Sequence, residues 1–119
     1  MLHLQSESTT QWLNQVDQHL DEILIDHAHC ERKAATTAMN LMNSYTENRD
    51  ICREMTRIVE EELEHFEMVL CLLEERRIQF RRLASGPYGR KLNALVSRHE
   101  PERAVDRLLV ASLIEARSC

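Results

Sequence analysis

Glu60-Glu61-Glu62-Leu63-Glu64-His65-Phe66-Glu67 is an acidic run with one imidazole in it, and its reading decides the fold. Five of its eight residues are glutamates, so the Glu-x-x-His spacing alone is weak evidence. A solvated acidic face would carry the same letters. Position on the helix discriminates. Around the run, Ile51, Met55, Ile58, Val59, Phe66, Val69, Leu70 and Leu73 form a stripe with helical spacing, which predicts a long helix over about residues 50–80. At about 100° per residue, the apolar arc centres near Met55, Phe66 and Leu73. Glu62 falls in the middle of that arc and His65 inside it, toward one side. Glu60, Glu61, Glu64 and Glu67 fall outside. Burying an unpaired carboxylate costs on the order of several kcal/mol, so Glu62 requires a cation or a proton.

Toward the N-terminus the pattern repeats. Leu24, Glu31, Ala38 and Tyr45 are spaced by sevens, and so are Leu20, His27, Ala34 and Leu41. They predict a first long helix over about residues 10–45, with Glu31 in its apolar stripe and Arg32 and Lys33 pointing elsewhere. Two readings of Glu31 stand. It is either a hydrogen-bonded partner of His27, or a metal carboxylate facing Glu62 and His65. One glutamate on a helix, then Glu-x-x-His on the next, is half the di-iron ligand pattern of ferritin-like bundles. The polar stretch Thr46-Glu47-Asn48-Arg49-Asp50 separates the two helices, with Asn48 or Asp50 as the cap.

Toward the C-terminus, Ser85-Gly86-Pro87-Tyr88-Gly89 is the one Gly/Pro cluster and predicts a turn. A short helix over about 90–97 follows, and Pro101 suits the first turn of a third long helix over about 101–118. Leu108 to Ile114 are apolar on nearly all sides of it, which predicts central burial. A buried helix at the end of the sequence implies missing partners, either a further C-terminal half or another subunit. Ile114-Glu115-Ala116-Arg117-Ser118-Cys119 weakly repeats Ile25 to Glu31. That alignment puts the counterpart of Glu31 one residue past Cys119. The helical wheel instead puts Glu115 in the arc shared by Ala104, Leu108 and Ala111. Glu115 is a ligand, a group supporting the ligands, or a buried acid paired with an arginine.

Composition agrees with few, long helices. The chain has 119 residues, only 2 Gly and 2 Pro, and 4% aromatic residues. That length allows one domain. No apolar run reaches the roughly 20 residues of a membrane span, and Met1 to Thr10 shows no signal peptide. The four cysteines, Cys30, Cys52, Cys71 and Cys119, lack metal-knuckle spacing and read as reduced, buried cytosolic thiols. The net charge of −5 is uneven: residues 1–75 carry −11 and residues 76–119 carry +6. Arg76, Arg77, Arg81, Arg82, Arg90 and Lys91 lie in an acid-free segment with Phe80 and Tyr88. Such a segment suits an anionic partner, with a solvated basic loop as the alternative.

Three segments carry a family resemblance: Ile23 to Ala35, Glu61 to Glu67, and Glu100 to Leu109 running on through Leu113 to Cys119. Together they resemble the tRNA 2-methylthio-N6-isopentenyladenosine hydroxylases. The resemblance implies an all-α, ferritin-like antiparallel bundle, of which residues 1–119 hold three of four core helices in a single, incomplete domain. It implies an O2-dependent non-haem di-iron monooxygenase that hydroxylates the isopentenyl group of a hypermodified adenosine beside the anticodon. By carry-over, Glu31, Glu62 and His65 are iron ligands, tRNA and an electron-transfer protein are partners, and the location is cytoplasmic. The ligand types do not separate iron from manganese. The family continues with a fourth helix bearing a second Glu-x-x-His, so a homodimer or further sequence would complete the centre. The competing readings are a non-catalytic ferritin-like protein that dimerises and binds iron, and a plain helical interaction domain.

Overall fold

Asn48 starts the second arm of a helical hairpin. Its Oδ1 accepts hydrogen bonds from the backbone N–H of Asp50 and of Ile51, each at 3.1 Å, satisfying two donors that a helix start leaves orphaned. The computed structural model describes residues 10–84 and 86–118. In chain order it holds α1 Thr10–Gln18, α2 Leu20–Ser44, α3 Arg49–Glu75, α4 Tyr88–Asn93 and α5 Glu102–Ser118. No strand occurs among the described residues, and the fold is all-α. The expectations that fall on residues 1–9, on Ser85 in the turn and on Cys119 lie outside the described residues. None of the described helices is long and apolar enough to cross a membrane.

The first predicted helix is two helices. α1 and α2 meet at His19, where φ is −125°. Asp17 and His19 are weak helix formers, and α1 touches little besides α2. α2 and α3 pack antiparallel along their length. Ile25 and Ala28 meet Val69 and Leu73 at one end of the seam, and Ala38 and Leu41 meet Met55 at the other. Between these apolar clusters lies a polar layer that holds Glu31 and Glu62.

α3 ends at Glu75, short of the expected Phe80. The Arg77 N–H donates to the Glu74 carbonyl at 2.9 Å and the Ile78 N–H to the Leu73 carbonyl at 2.8 Å. Ile78 packs on the cluster containing Leu73. This is a Schellman cap, and its left-handed position, φ 59°, is occupied by Arg77. Glycine usually fills that position, which is why the stop was not legible. We expect Arg77→Gly to stabilise the chain by about 1 kcal/mol, read from the urea midpoint. A lower midpoint would mean that the arginine side chain outweighs the backbone strain.

After the cap, residues 78–84 run back along α2 as an extended strap. Ile78, Phe80 and Leu83 pack on the first cluster. His29 Nε2 donates to the Arg81 carbonyl at 2.8 Å, and the Phe80 ring lies 4.7 Å from the His29 ring. The Arg81 guanidinium reaches Glu22 at 3.1 Å. The short helix, α4, starts two residues before the expected Arg90 and packs on α5, with Gly89 facing Ile114.

α5 begins where α2 ends. The Tyr45 hydroxyl donates to Glu100 Oε1 at 2.6 Å, Glu100 Oε2 accepts from the Ala104 N–H at 3.1 Å, and Arg107 sits 5.7 Å above the Tyr45 ring. α5 therefore runs antiparallel to α2 and parallel to α3, and residues 76–101 form the crossover between them. Central burial of Leu108 to Ile114 is not observed. Leu108, Leu109 and Leu113 are 37%, 56% and 44% exposed, because α2 and α4 cover only one side of α5. The cysteines also depart from expectation: Cys71 is exposed, and Cys30 and Cys52 are half-buried.

Candidate metal centre

Mid-hairpin, α2 contributes Glu31 and α3 contributes Glu62 and His65 to one cluster. One donor atom from each lies within 4.8 Å of the other two. Glu31 is 6% and Glu62 8% exposed, while Glu60, Glu61, Glu64 and Glu67 face solvent, as the helical wheel required. Glu31 pairs with His27 and also faces the α3 residues of the cluster. Its Oε1 is 3.1 Å from His27 Nε2, and its Oε2 is 4.0 Å from His65 Nδ1. Both imidazoles are partly exposed.

Oε2 of Glu62 is buried without a hydrogen-bond partner. Burial pushes the Glu62 carboxyl up from 4.5 to about 8, assisted by contact with the Glu31 carboxylate and by the charges of Glu115, Glu31 and Glu61. An orphaned carboxylate oxygen within a crowd of acids fits a cation. Carboxylates with imidazole suit iron or manganese, whereas thiolate-preferring metals would need cysteine ligands.

The metal-free chain should show a specific pH dependence. Above pH 4.5 the unfolded chain gives up the Glu62 proton, while the folded chain keeps it until about 8. The folded state thus binds more protons in that window, and stability falls as pH rises from about 4.5 to about 8. Urea midpoints at the two ends of the window test this, with Glu62→Gln as the control for the histidines. Parallel pH profiles for the two chains would sink it.

Glu115 is half-buried on α5 and borders the same cavity as Glu62. Its charge raises both Glu62 and Cys30. The helical wheel, rather than the internal repeat, located this acid. Burial, then Asp26, pushes the Cys30 thiol up, so it stays protonated and inert.

The cavity lies between α2, α3, α4 and α5 and measures about 810 Å³. Lys33, expected to point away from the stripe, borders it, as does Arg90. The six basic candidates are all exposed. Arg76, Arg77, Arg81 and Arg82 lie at the α3 cap and on the strap, and Arg90 and Lys91 lie on α4. The Phe80 ring packs on the rings of His29 and Phe66. Tyr88, at the start of α4, is 37% exposed. The anchoring role of His29 was missed, because nothing in the helical periodicity marks a ring that holds a distant loop.

Fold and cluster together define a ferritin-like helical protein with carboxylate and histidine groups set across adjacent helices. The chain belongs to the tRNA-(MS[2]IO[6]A)-hydroxylase (MiaE) family, which matches residues 1–119. It is 42% identical over 108 residues to the tRNA 2-(methylsulfanyl)-N(6)-isopentenyladenosine(37) hydroxylase of Pseudomonas putida, covering 91% of this chain and 53% of that protein. The Salmonella typhimurium protein of the same name is 25% identical over 149 aligned positions, covering 86% of this chain and 55% of its own length. A solved structure, Protein 43 with aldehyde deformylating oxygenase activity from Synechococcus, superposes with a TM-score of 0.89 at 41% identity, covering 98% of this chain and 58% of that one. The chain spans about half the length of the curated relatives it matches. The resemblance read from the three sequence segments is borne out.

Proposed function

We propose that residues 1–119 form part of a di-iron monooxygenase that hydroxylates the isopentenyl group of 2-methylthio-N6-isopentenyladenosine in tRNA, next to the anticodon. The observation that carries the reading is the orphaned Glu62 oxygen beside Glu31 and His65, in a chain 42% identical to a hydroxylase of that name. Glu31, Glu62 and His65 would hold iron, with Glu115 as a further carboxylate. Bound iron would supply the activation of O2 needed to oxidise an allylic methyl C–H bond, with electrons from an external electron-transfer protein.

The chain's own residues do the rest. His27 steadies Oε1 of Glu31 and leaves Oε2 directed toward His65. Glu62 surrenders its proton when a cation enters, which couples metal uptake to proton release. The apolar clusters on either side hold α2 and α3 at the spacing that brings Glu31 and Glu62 together. Arg76, Arg77, Arg82, Arg90 and Lys91 offer cations to the RNA backbone, while Arg81 is paired with Glu22. Further sequence, such as the relatives carry, or a second copy supplies the remaining ligands of the domain. A tRNA substrate supports a cytoplasmic location.

Exposed Leu109 and Leu113 favour a second reading, a ferritin-like protein that dimerises and binds iron without oxygenase chemistry. The test is anaerobic Fe(II) loading, then O2 and reductant with an anticodon stem-loop RNA carrying the modified base. The nucleoside should gain the mass of one oxygen atom. Iron uptake without that gain would favour the second reading, and no iron uptake would sink both.

A further inference from the structure

Arg81 has two separate attachments to α2, one through its backbone and one through its side chain. Its carbonyl accepts a hydrogen bond from His29 Nε2 at 2.8 Å, and the His29 ring is buried. The other ring nitrogen, Nδ1, lies 3.5 Å from the Arg32 guanidinium, which suits the tautomer with the proton on Nε2. On either side of Arg81, Ile78, Phe80 and Leu83 pack on the cluster of Ile25, Ala28, Val69 and Leu73. The Phe80 ring meets both His29 and Phe66. The main chain of the strap is therefore held by contacts that do not involve the Arg81 guanidinium.

The guanidinium makes a contact of another kind. Its Nη2 reaches Glu22 Oε1 at 3.1 Å, and the two side chains are 50% and 63% exposed. Such exposed ion pairs are weak, changing an equilibrium constant by no more than about fivefold. The surroundings on the strap are cationic. Arg76, Arg77 and Arg82 are exposed, and residues 76–99 include no acid. Glu22 comes from α2 and neutralises one cation of this segment. A backbone phosphate accepts the same forked contact from a guanidinium as a carboxylate does. On an RNA strand it also comes with further phosphates for the neighbouring arginines.

We propose that the strap is a preformed docking element for the RNA backbone, and that Glu22 masks Arg81 in the free chain and yields it to a phosphate when RNA binds. His29 is the positioning residue. By holding the Arg81 carbonyl it keeps the strap in place while the side chain changes partner. A strap already ordered before binding avoids the loss of affinity that ordering a free loop would bring. The proposal rests on the hydroxylase reading and deepens it: Arg81 joins the cations that meet the RNA, and Glu22 becomes a competitor of the RNA.

The test is binding of a dye-labelled, unmodified anticodon stem-loop RNA to the purified chain, followed by fluorescence anisotropy over a range of salt concentrations. Glu22→Gln should bind the RNA about two- to fivefold more tightly than the wild type. Arg81→Ala should bind more weakly and should reduce the slope of log affinity against log salt by about 1. In the Arg81→Ala background, Glu22→Gln should have little further effect, since Glu22 then has no arginine to hold. His29→Ala should weaken RNA binding and speed trypsin cleavage after Arg81 and Arg82. His29→Gln, whose amide can still donate to the carbonyl, should recover part of both, and circular dichroism should show helicity retained in each variant. A gain from Glu22→Gln that persists in full without Arg81 would be a general charge effect and would overturn the mask. An unchanged salt slope in Arg81→Ala would overturn the phosphate contact, and unchanged RNA affinity in His29→Ala would overturn the preformed strap. A wild-type chain that does not bind the RNA at low salt would overturn the proposal as a whole. The hydroxylase reading is judged separately, by the mass gain of the modified nucleoside.

Discussion

A Glu62→Gln chain should take up Fe(II) roughly 100-fold more weakly than the wild type and yet melt at a higher temperature when metal-free. The two effects share one cause. The wild-type carboxyl is buried, has an oxygen without a partner, and is pushed up to about 8 by burial and by the acids around it. Above neutral pH the folded chain must hold that charge in a poor environment or keep a proton on it. Glutamine has nearly the same shape and no charge, so it removes the penalty. Each kcal/mol recovered raises the melting temperature by roughly 3–6 °C in a domain of this size. The same change removes an anionic ligand, and losing even a residue that merely supports a ligand weakens metal sites roughly 10–100-fold. A structural carboxylate would lose stability on substitution, so opposite signs in the two assays mark a site shaped for a cation. Undiminished Fe(II) uptake in titrations of the variant would end the ligand assignment.

Leu73→Ala should destabilise the chain by about 2–5 kcal/mol, a large share of the roughly 5–15 kcal/mol that holds a domain together. Leu73 has no solvent exposure and packs with Ile25, Ala28 and Val69. Ile78, Phe80 and Leu83 press on the same cluster, so a void there loosens the strap as well as the hairpin. Leu109→Ala is the contrast. Leu109 is 56% exposed, and its loss should change the unfolding free energy, read from the urea midpoint, by no more than about 0.5 kcal/mol. Similar effects for the two leucines would contradict the packing described here.

Glu62, Glu31 and the helical hairpin were legible because helical periodicity puts a lone acid visibly inside an apolar stripe. His65 followed from its three-residue spacing, and Glu115 from its own wheel. The end of α3 was hidden because Arg77 stands where a glycine would have signalled the left-handed turn. The strap was hidden because Phe80 continues the helical stripe by spacing while packing from an extended segment. Burial of α5 was overestimated because a pattern reports how apolar a face is, and says nothing about which neighbours cover it. The cavity, with Lys33 and Arg90 beside it, depends on four helices at once, and no single helix wheel contains it.

The polar layer between the two apolar clusters also decides how the hairpin can align. Alanine and leucine seams tolerate slippage, since one small or branched side chain replaces another with little change. A slip of one heptad in this hairpin would set Glu62 against Leu24 or Ala38 instead of Glu31. The carboxyl would then lose its place in the cluster and sit against hydrocarbon, at a cost on the order of several kcal/mol. The layer that weakens the metal-free chain therefore acts as a register key. It penalises the misaligned hairpins that the alanine-rich seam would otherwise allow.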